Sequence, residues 1–224
     1  MNCGNLLWVE GIISSGKSSF AREISKRLNL RLIEEPVGNG EGIDNPYLEK
    51  FYKEPAKYAF SMQIFLLHQR FAMQQLAAYE STGVGGYKGA ILDRSLSGDR
   101  VFAKMLMQDG LISELDFNTY EIAYSIMCRS LLPPTLLIFL DVQPETAYAR
   151  MKKRNREVEC NVSLDYLIKL RKGYQKLIKE AEQCLLPWAH AVRVMRVAWD
   201  FDIHAPEEWD AIALTIKDSC RIST

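Results

Sequence analysis

A glycine-rich segment near the start of the chain has the residue types and spacing of a phosphate-binding loop. Residues 11–18 match G-x-x-x-x-G-K-[ST] and stand between an apolar run at 6–9 and a helical pattern at 17–28. The glycines let the backbone curl so that N–H groups point at a phosphate, and the helix start adds its positive dipole end. Lys17 should reach the β- and γ-phosphates, and the Ser18 hydroxyl should ligate Mg²⁺. The residues predicted to bind ATP here are Gly11, Ser14, Ser15, Gly16, Lys17, Ser18 and Ser19.

Two acidic residues follow apolar runs at positions where strands would end. Asp93 comes after the run 90–92, and Glu35 comes shortly after the run 30–33. A strand-end carboxylate beside a phosphate-binding loop can hold Mg²⁺ directly or through water, which we expect of Asp93. Ligands of open α/β sheets bind at this edge, so Glu35 is placed to accept a proton from an attacking hydroxyl. The competing interpretation of Glu35 is a surface residue before a turn proline.

A basic segment at 150–156 contains five basic residues in seven. Arg150 and Arg154 are four residues apart and therefore share one helix face. Together with the upstream loop, this composition favours a mobile lid at about 150–162, in which Arg150, Arg154 and Arg156 close over a transferring phosphoryl group. A solvated basic helix end is the alternative.

The elements that must position these groups alternate between short apolar strands and longer helical patterns. Strands are predicted at 6–9, 30–33, 90–92, 136–140 and 192–197, and further helices at about 45–52, 56–80, 99–108, 113–130, 144–155, 163–184 and 206–220. We expect each strand to be apolar and uncharged inside because helices cover both faces of the sheet. The pattern predicts an α/β fold in which helices flank a five-stranded parallel sheet, within one domain spanning residues 1–224.

The composition argues against several other classes of protein. The 224 residues are 48% hydrophobic and 25% charged, and Lys+Arg and Asp+Glu each total 28. This balance creates no overall field that would attract polymeric nucleic acid or an anionic membrane. The five cysteines are scattered, without disulfide-framework or zinc-site spacing. Because no signal peptide or membrane-length apolar run is evident, we expect a cytoplasmic protein.

The order of these features along nearly the whole chain resembles the deoxynucleoside kinase family. The resemblance rests on the phosphate-binding loop, Glu35-Pro36-Val37, Tyr52 with Glu54-Pro55, Gln63 followed by Arg70, Asp93-Arg94-Ser95 with Asp99-Arg100, the arginine-rich lid and Asp200-Phe201-Asp202. It implies a P-loop kinase fold, ATP with Mg²⁺ as donor and a deoxynucleoside as acceptor. It also implies ATP contacts from Asp200 and Phe201, and a homodimer packed through amphipathic helices at 45–52, 56–80 and 113–130.

The resemblance further implies roles at the sugar and at the reacting hydroxyl. Glu35 would deprotonate the 5′-hydroxyl, and Arg94 would hold that base and the developing charge. Tyr52 and Glu159 would bind the 3′-hydroxyl of the sugar.

For the nucleobase, the resemblance assigns hydrogen bonding to Gln63 and completes recognition with Arg70 and Asp99. Gln63 and Arg70 are seven residues apart on a predicted helix, hence on one face and about 10 Å apart. A neutral Gln suits a base edge because it presents a donor and an acceptor together, although a satisfied core amide is the alternative. Met62 stands where many relatives place an aromatic residue that stacks on the base. The Arg70/Asp99 pair resembles the branch that handles deoxycytidine and deoxypurines, so these acceptors are favoured over thymidine, with the choice among them open.

Two other functions stay open at this point. A nucleoside monophosphate kinase of the thymidylate kinase type shares the loop and the strand-end groups, but it needs extra cations for the phosphate of its acceptor. Outside the lid, only Arg70 is an obvious candidate. A non-catalytic ATP-binding module is the other alternative, and the intact Lys17, Ser18, Glu35 and lid arginines argue against it.

Overall fold

The chain alternates strands and helices as predicted. The computed structural model describes residues 5–34, 45–156, 159, 162–189, 192–200 and 206–220. Their elements are β1 (Asn5–Glu10), α1 (Lys17–Leu28), β2 (Arg31–Ile33), α2 (Leu48–Lys53), α3 (Pro55–Glu80), β3 (Gly89–Asp93), α4 (Leu96–Gln108), α5 (Glu114–Arg129), β4 (Leu136–Asp141), α6 (Pro144–Arg154), α7 (Leu164–Glu182), β5 (Arg193–Ala198) and α8 (Pro206–Cys220). The strands form a five-stranded parallel sheet in the order β2-β3-β1-β4-β5, which confirms the predicted fold class.

The burial of the strands depends on their place in the sheet. Leu7, Ile91 and Ile138, in the three central strands, are each 0% exposed. The expectation of uncharged, buried strands is wrong for β5, where Arg193 and Arg196 are exposed. An edge strand has a neighbour on one side only, so charged side chains along it can stay in water.

The register of the sheet brings together two parts of the predicted phosphate site, which are the loop after β1 and Asp93 at the end of β3. Val9 of β1 pairs with Asp93 of β3, so the loop after β1 and the carboxylate after β3 leave the sheet at the same edge. Helices α2 to α5 build a second apolar cluster away from the sheet, with Leu67 and Leu106 each 1% exposed. The longest described helix is α3, at 26 residues. Within the described ranges, no helix combines the length and apolar character needed to cross a membrane.

Side-chain caps explain where several helices begin. Ser113 and Ser163 each accept a hydrogen bond from a backbone N–H three residues later, at 3.1 Å, as their predicted roles require. Helix α4 begins at Leu96 instead of 99, because the Ser95 hydroxyl accepts from the Ser97 N–H at 3.1 Å. Helix α2 begins three residues later than predicted, after a turn in which Asn45 Oδ1 accepts from the backbone N–H two residues on, at 3.0 Å.

Candidate functional site

The loop between β1 and α1 adopts backbone conformations that suit small residues. Gly16 has a φ of +92° and Ser14 a φ of +59°, both in the left-handed region. A Cβ atom on Gly11 would lie 2.6 Å from the Ser15 hydroxyl oxygen, so a side chain there would displace the loop. Ser19 lies exposed on the first turn of α1. The segment therefore has the curled backbone that a phosphate cradle requires.

Lys17 and Ser18 begin α1 beside the carboxylate of Asp93. The Lys17 ammonium is held over the loop, where it donates to the Ile12 carbonyl at 2.8 Å. The Ser18 hydroxyl donates to Asp93 Oδ2 at 2.5 Å, and Asp93 is 2% exposed. Hydroxyl and carboxylate oxygens are the ligands that Mg²⁺ prefers, so the residues present fit that ion.

A cavity of about 240 Å³ extends from this loop toward α2, α3 and the lid. The predicted site residues that line it are Ser14, Lys17, Ser18, Tyr52, Met62, Gln63, Arg70, Arg94, Arg154, Arg156 and Glu159. One space thus connects the predicted phosphate groups with the predicted nucleoside groups. Glu35 and Phe201 lie outside the described residues.

Other residues of the cavity wall were missed from the sequence. They are Ile13, Asn45, Leu48, Phe51, Leu66, Gln69, Phe102 and Tyr166. Helical spacing from Met62 could have found Leu66 and Gln69, which lie on the same face of α3. No local signal marks Phe102 or Tyr166, because they come from α4 and α7, which reach the cavity only through tertiary packing.

The predicted pair of Arg70 and Asp99 is formed. Arg70 Nη1 donates to Asp99 Oδ1, and the two residues are 5% and 0% exposed. Asp99 Oδ2 accepts from the Tyr120 hydroxyl at 2.5 Å. Arg70 lines the cavity, whereas Asp99 stands behind it. Since burial of a charge is costly without a partner, the contact explains why both ions are tolerated here.

Gln63 also faces the cavity from α3. It is 1% exposed, and its Oε1 atom has no hydrogen-bond partner among the described residues. Buried amide oxygens are normally hydrogen-bonded. The orphan acceptor therefore favours a ligand contact over the alternative of a satisfied core amide.

Arg94 occupies the turn between β3 and α4, with a φ of +71°. Its guanidinium donates to the Tyr174 hydroxyl at 2.7 Å and lies 5.0 Å from the centre of the Phe102 ring. Glu10 fixes this turn through two hydrogen bonds. Its Oε1 accepts from the Ser95 N–H at 2.8 Å and from the Ser95 hydroxyl at 2.6 Å. These contacts direct Arg94 into the cavity.

Glu10 is a buried carboxylate that the sequence analysis missed. It is 0% exposed, and burial raises the pKa of its carboxyl, while the charge of Arg94 and hydrogen bonds from Ser95 act in the opposite direction. A Cβ atom on Gly98 would collide with Glu10 Oε2, so the glycine makes room for the carboxylate. The available signal was an acidic residue that directly continues an apolar strand.

The arginine-rich segment contacts the phosphate-binding loop. Arg154, the last residue of α6, donates to the Ser14 hydroxyl at 3.0 Å and to Glu159 at 2.5 Å. Arg156 and Glu159 line the cavity. Residues 157, 158, 160 and 161 of the predicted lid lie outside the described residues. Arg154 and Arg156 therefore border the cavity beside the loop.

Arg150 and Asp200, which are also predicted to bind ATP, contact residues outside the phosphate-binding loop. Arg150 Nη1 donates to the Trp199 carbonyl at 2.9 Å. Asp200 Oδ1 accepts from the Gln143 N–H at 2.7 Å, at the start of α6. Both contacts anchor α6, the helix that leads into the predicted lid, and direct ATP contacts by Arg150 and Asp200 stay predictions.

Comparison with known proteins gives matches to the family that the sequence resembles. The family model described as deoxynucleoside kinase matches residues 7–221. A Dictyostelium discoideum protein named deoxyadenosine kinase is 37% identical over 88% of this chain and 73% of its own length. A Bacillus subtilis protein named deoxyadenosine/deoxycytidine kinase is 32% identical over 80% of this chain and 79% of its own.

The fold is also similar to that of a solved kinase structure. A deoxyadenosine kinase from M. mycoides with bound dCTP superposes with a TM-score of 0.76 and 27% sequence identity. The match covers 96% of this chain and 99% of that chain. This similarity confirms the predicted P-loop kinase fold.

Proposed function

Because the chain belongs to the deoxynucleoside kinase family, we propose that it transfers the γ-phosphoryl group of ATP to the 5′-hydroxyl of a deoxynucleoside. The product is the 5′-monophosphate, as in nucleotide salvage. Deoxypurine nucleosides or deoxycytidine are the favoured acceptors over thymidine. The observation that carries the proposal is one cavity in which Lys17 and Ser18 lie at the loop while Gln63 and Arg70 line the wall formed by α3.

On this proposal, the chain supplies positioning and charge. Lys17 releases the Ile12 carbonyl and binds the β- and γ-phosphate oxygens, while Arg154 and Arg156 neutralise the charge that spreads over the phosphoryl group. Ser18 and Asp93 would hold Mg²⁺, which would neutralise charge at the phosphates when bound. Glu35 accepts the proton of the 5′-hydroxyl as that oxygen attacks.

The acceptor is oriented at its sugar and at its base. Tyr52 and Glu159 bind the 3′-hydroxyl, and Gln63 and Arg70 bind the base edge. What supports these roles is that all four side chains line the same cavity. Arg94 holds the carboxylate of Glu35 in place and stabilises the negative charge that develops during transfer.

Two broader features belong to the same proposal. We expect residues 1–224 to form one cytoplasmic domain with a lid at about 150–162, and two copies to form a homodimer. What supports association is the outer face of α5, where Leu115, Ile122 and Ile126 are 77%, 63% and 60% exposed. Light scattering of the wild type and of Ile122→Lys tests this, since a monomeric wild type would contradict the dimer.

An acceptor panel tests the proposed function. Each of the four deoxynucleosides, the ribonucleosides and the deoxynucleoside monophosphates is incubated with ATP and Mg²⁺, and ADP formation is coupled to a spectroscopic readout. We expect turnover with one or more deoxynucleosides. Turnover confined to the monophosphates would instead support a nucleoside monophosphate kinase, and acceptor-independent ATP hydrolysis would support a binding module.

A further inference from the structure

Tyr120 lies behind Asp99 and Arg70, on the side of the cavity that is proposed to bind the base. It has no role in the mechanism above. Its side chain on α5 is 0% exposed, and its hydroxyl donates to Asp99 Oδ2 at 2.5 Å. The other oxygen of Asp99 accepts from Arg70 Nη1. Three helices therefore contribute one side chain each to a buried series that runs from Tyr120 through Asp99 to Arg70, and only Arg70 reaches the cavity.

The protonation state of Tyr120 makes it a fixed donor. Burial, and next the neighbouring Tyr124, raise the pKa of the Tyr120 hydroxyl well above its ordinary value of 10.0, against the smaller opposing effect of the Arg70 charge. The phenol consequently keeps its proton throughout the neutral range. A neutral phenol gives Asp99 a short hydrogen bond and leaves its negative charge to the guanidinium of Arg70.

Resting on the proposed kinase function, we propose that Tyr120 is a positioning residue that sets base selectivity through Asp99. With a donor on each carboxylate oxygen, Asp99 is held in the orientation that serves Arg70. The pair then presents the guanidinium donors of Arg70 to the base, and the Gln63 amide oxygen supplies an acceptor in the same cavity. Tyr120 itself does not touch the substrate.

Loss of the Tyr120 hydroxyl leaves Asp99 Oδ2 buried without that donor. The Asp99 side chain then gains by turning about its Cα–Cβ bond toward the cavity that Arg70 lines, where an exocyclic amino group of a bound base can serve as the new donor. The rotation redirects Arg70 and adds an acceptor at the base edge. We therefore expect Tyr120→Phe to raise the KM for the deoxynucleoside about tenfold while the KM for ATP stays within twofold.

Base selectivity gives a readout that a general loss of stability would not change. Deoxyadenosine and deoxyinosine differ in an amino or carbonyl group at one ring position, as do deoxycytidine and deoxyuridine. In Tyr120→Phe, kcat/KM for the amino-bearing member relative to the carbonyl-bearing member should rise about fivefold or more, in whichever pair the wild type accepts. If Tyr120→Phe does not fold, 4-fluorophenylalanine at position 120 fills the space of the hydroxyl without donating.

Tyr124→Phe is the matched control. Tyr124 lies one turn later on α5 and is 5% exposed, with its ring centre 6.4 Å from that of Tyr120. Its hydroxyl is 3.2 Å from the Ser97 hydroxyl and does not contact Asp99 in the described structure. Tyr124→Phe should therefore leave the nucleoside KM and the base ratio within twofold of the wild type.

A double-mutant cycle tests whether Tyr120 acts through Asp99. Nucleoside affinity is measured by titration calorimetry in the wild type, Tyr120→Phe, Asp99→Ala and the double variant. We expect the effect of Tyr120→Phe to vanish in the Asp99→Ala background, which leaves no acceptor for the Tyr120 hydroxyl at position 99. An unchanged nucleoside KM and base ratio in Tyr120→Phe, or additive effects in the cycle, would overturn the positioning role. A wild type that phosphorylates no deoxynucleoside would contradict the proposed function instead.

Discussion

Arg154 and Ser14 are 140 residues apart in the chain, yet the Arg154 guanidinium donates to the Ser14 hydroxyl at 3.0 Å. The same guanidinium pairs with Glu159 at 2.5 Å, so one side chain connects the end of α6 both to the phosphate-binding loop and to the segment predicted to form a lid. The Ser14 hydroxyl is only a neutral acceptor, and an arriving phosphate would be a stronger one for the same guanidinium. The contact is what the proposed role of Arg154, a cation beside the transferring phosphoryl group, requires.

Arg154→Ala tests this cation. Removal of the guanidinium should lower kcat by about 10- to 100-fold, because charge on the transferring phosphoryl group is less well compensated. Steady-state kinetics with ATP and the preferred deoxynucleoside measure the effect. Lys153→Ala, which changes an exposed cation one residue earlier, is the control and should stay within threefold of the wild type. Equal losses of kcat in the two variants would contradict this role and would mean that Arg154 contributes only general surface charge.

Lys17→Ala tests the phosphate cradle. Lys17 is 6% exposed and held against the Ile12 carbonyl, so its ammonium needs only a side-chain movement to reach a phosphate. Transfer should fall by about 10³-fold or more, since one preorganised cation at the transferring group is lost. Lys26→Ala, exposed at the other end of α1, is the control. A folded Lys17→Ala protein with near-wild-type turnover would refute the cradle.

Glu35→Gln tests the proposed general base. The substitution preserves size but removes the ability to accept a proton, so kcat should fall by about 10²- to 10⁴-fold with nucleoside binding retained. Glu34→Gln is the matched control, because Glu34 pairs with Arg22 on the surface. If rapid-quench kinetics show Glu34→Gln to be the impaired variant, the neighbouring carboxylate is the base.

Glu10→Gln tests the buried carboxylate beneath the Arg94 turn. Burial raises the pKa of Glu10, so the folded state holds this proton more tightly than the unfolded state does. The stabilisation from this tightly held proton is fully present below 4.5, the ordinary pKa of the carboxyl. It is lost as the pH rises through the raised pKa of Glu10. Relative to Glu10→Gln, the wild type should therefore lose stability as the pH rises above 4.5.

Urea unfolding at several pH values measures this difference. The exposed-site variant Glu114→Gln serves as the control, with a difference from the wild type that should vary less with pH. A constant difference between the wild type and Glu10→Gln across the range would contradict the raised pKa.

Local pattern predicted the fold better than it predicted the site. Lys17, Ser18 and Asp93 could be assigned because a loop motif and a strand end each place a side chain relative to the sheet edge. The nucleobase roles of Gln63 and Arg70 came from the family resemblance, and helical spacing predicted only that the two side chains share one face of α3. In contrast, the role of Tyr120 depends on packing between α3, α4 and α5, and nothing in its neighbouring sequence marks it.

The errors have a similar physical origin. Helix α4 starts at Leu96 because Ser95 caps it, a contact that depends on the turn after β3. The exposed arginines of β5 reflect its place at the sheet edge, and strand order is a property of the whole topology. The order of the strands depends on pairing between distant parts of the chain, and the turn at Ser95 is held by the distant Glu10.

Direct detection of the transferred phosphoryl group tests the central claim. ATP labelled at the γ-phosphate is incubated with Mg²⁺ and each deoxynucleoside, and the labelled product is identified by chromatography and phosphorus NMR, with Lys17→Ala as the blank. We expect the label in a deoxynucleoside 5′-monophosphate, formed at least about tenfold faster with a deoxypurine nucleoside or deoxycytidine than with thymidine. Label recovered only as inorganic phosphate, or only in a nucleoside diphosphate made from an added monophosphate, would contradict a deoxynucleoside 5′-kinase.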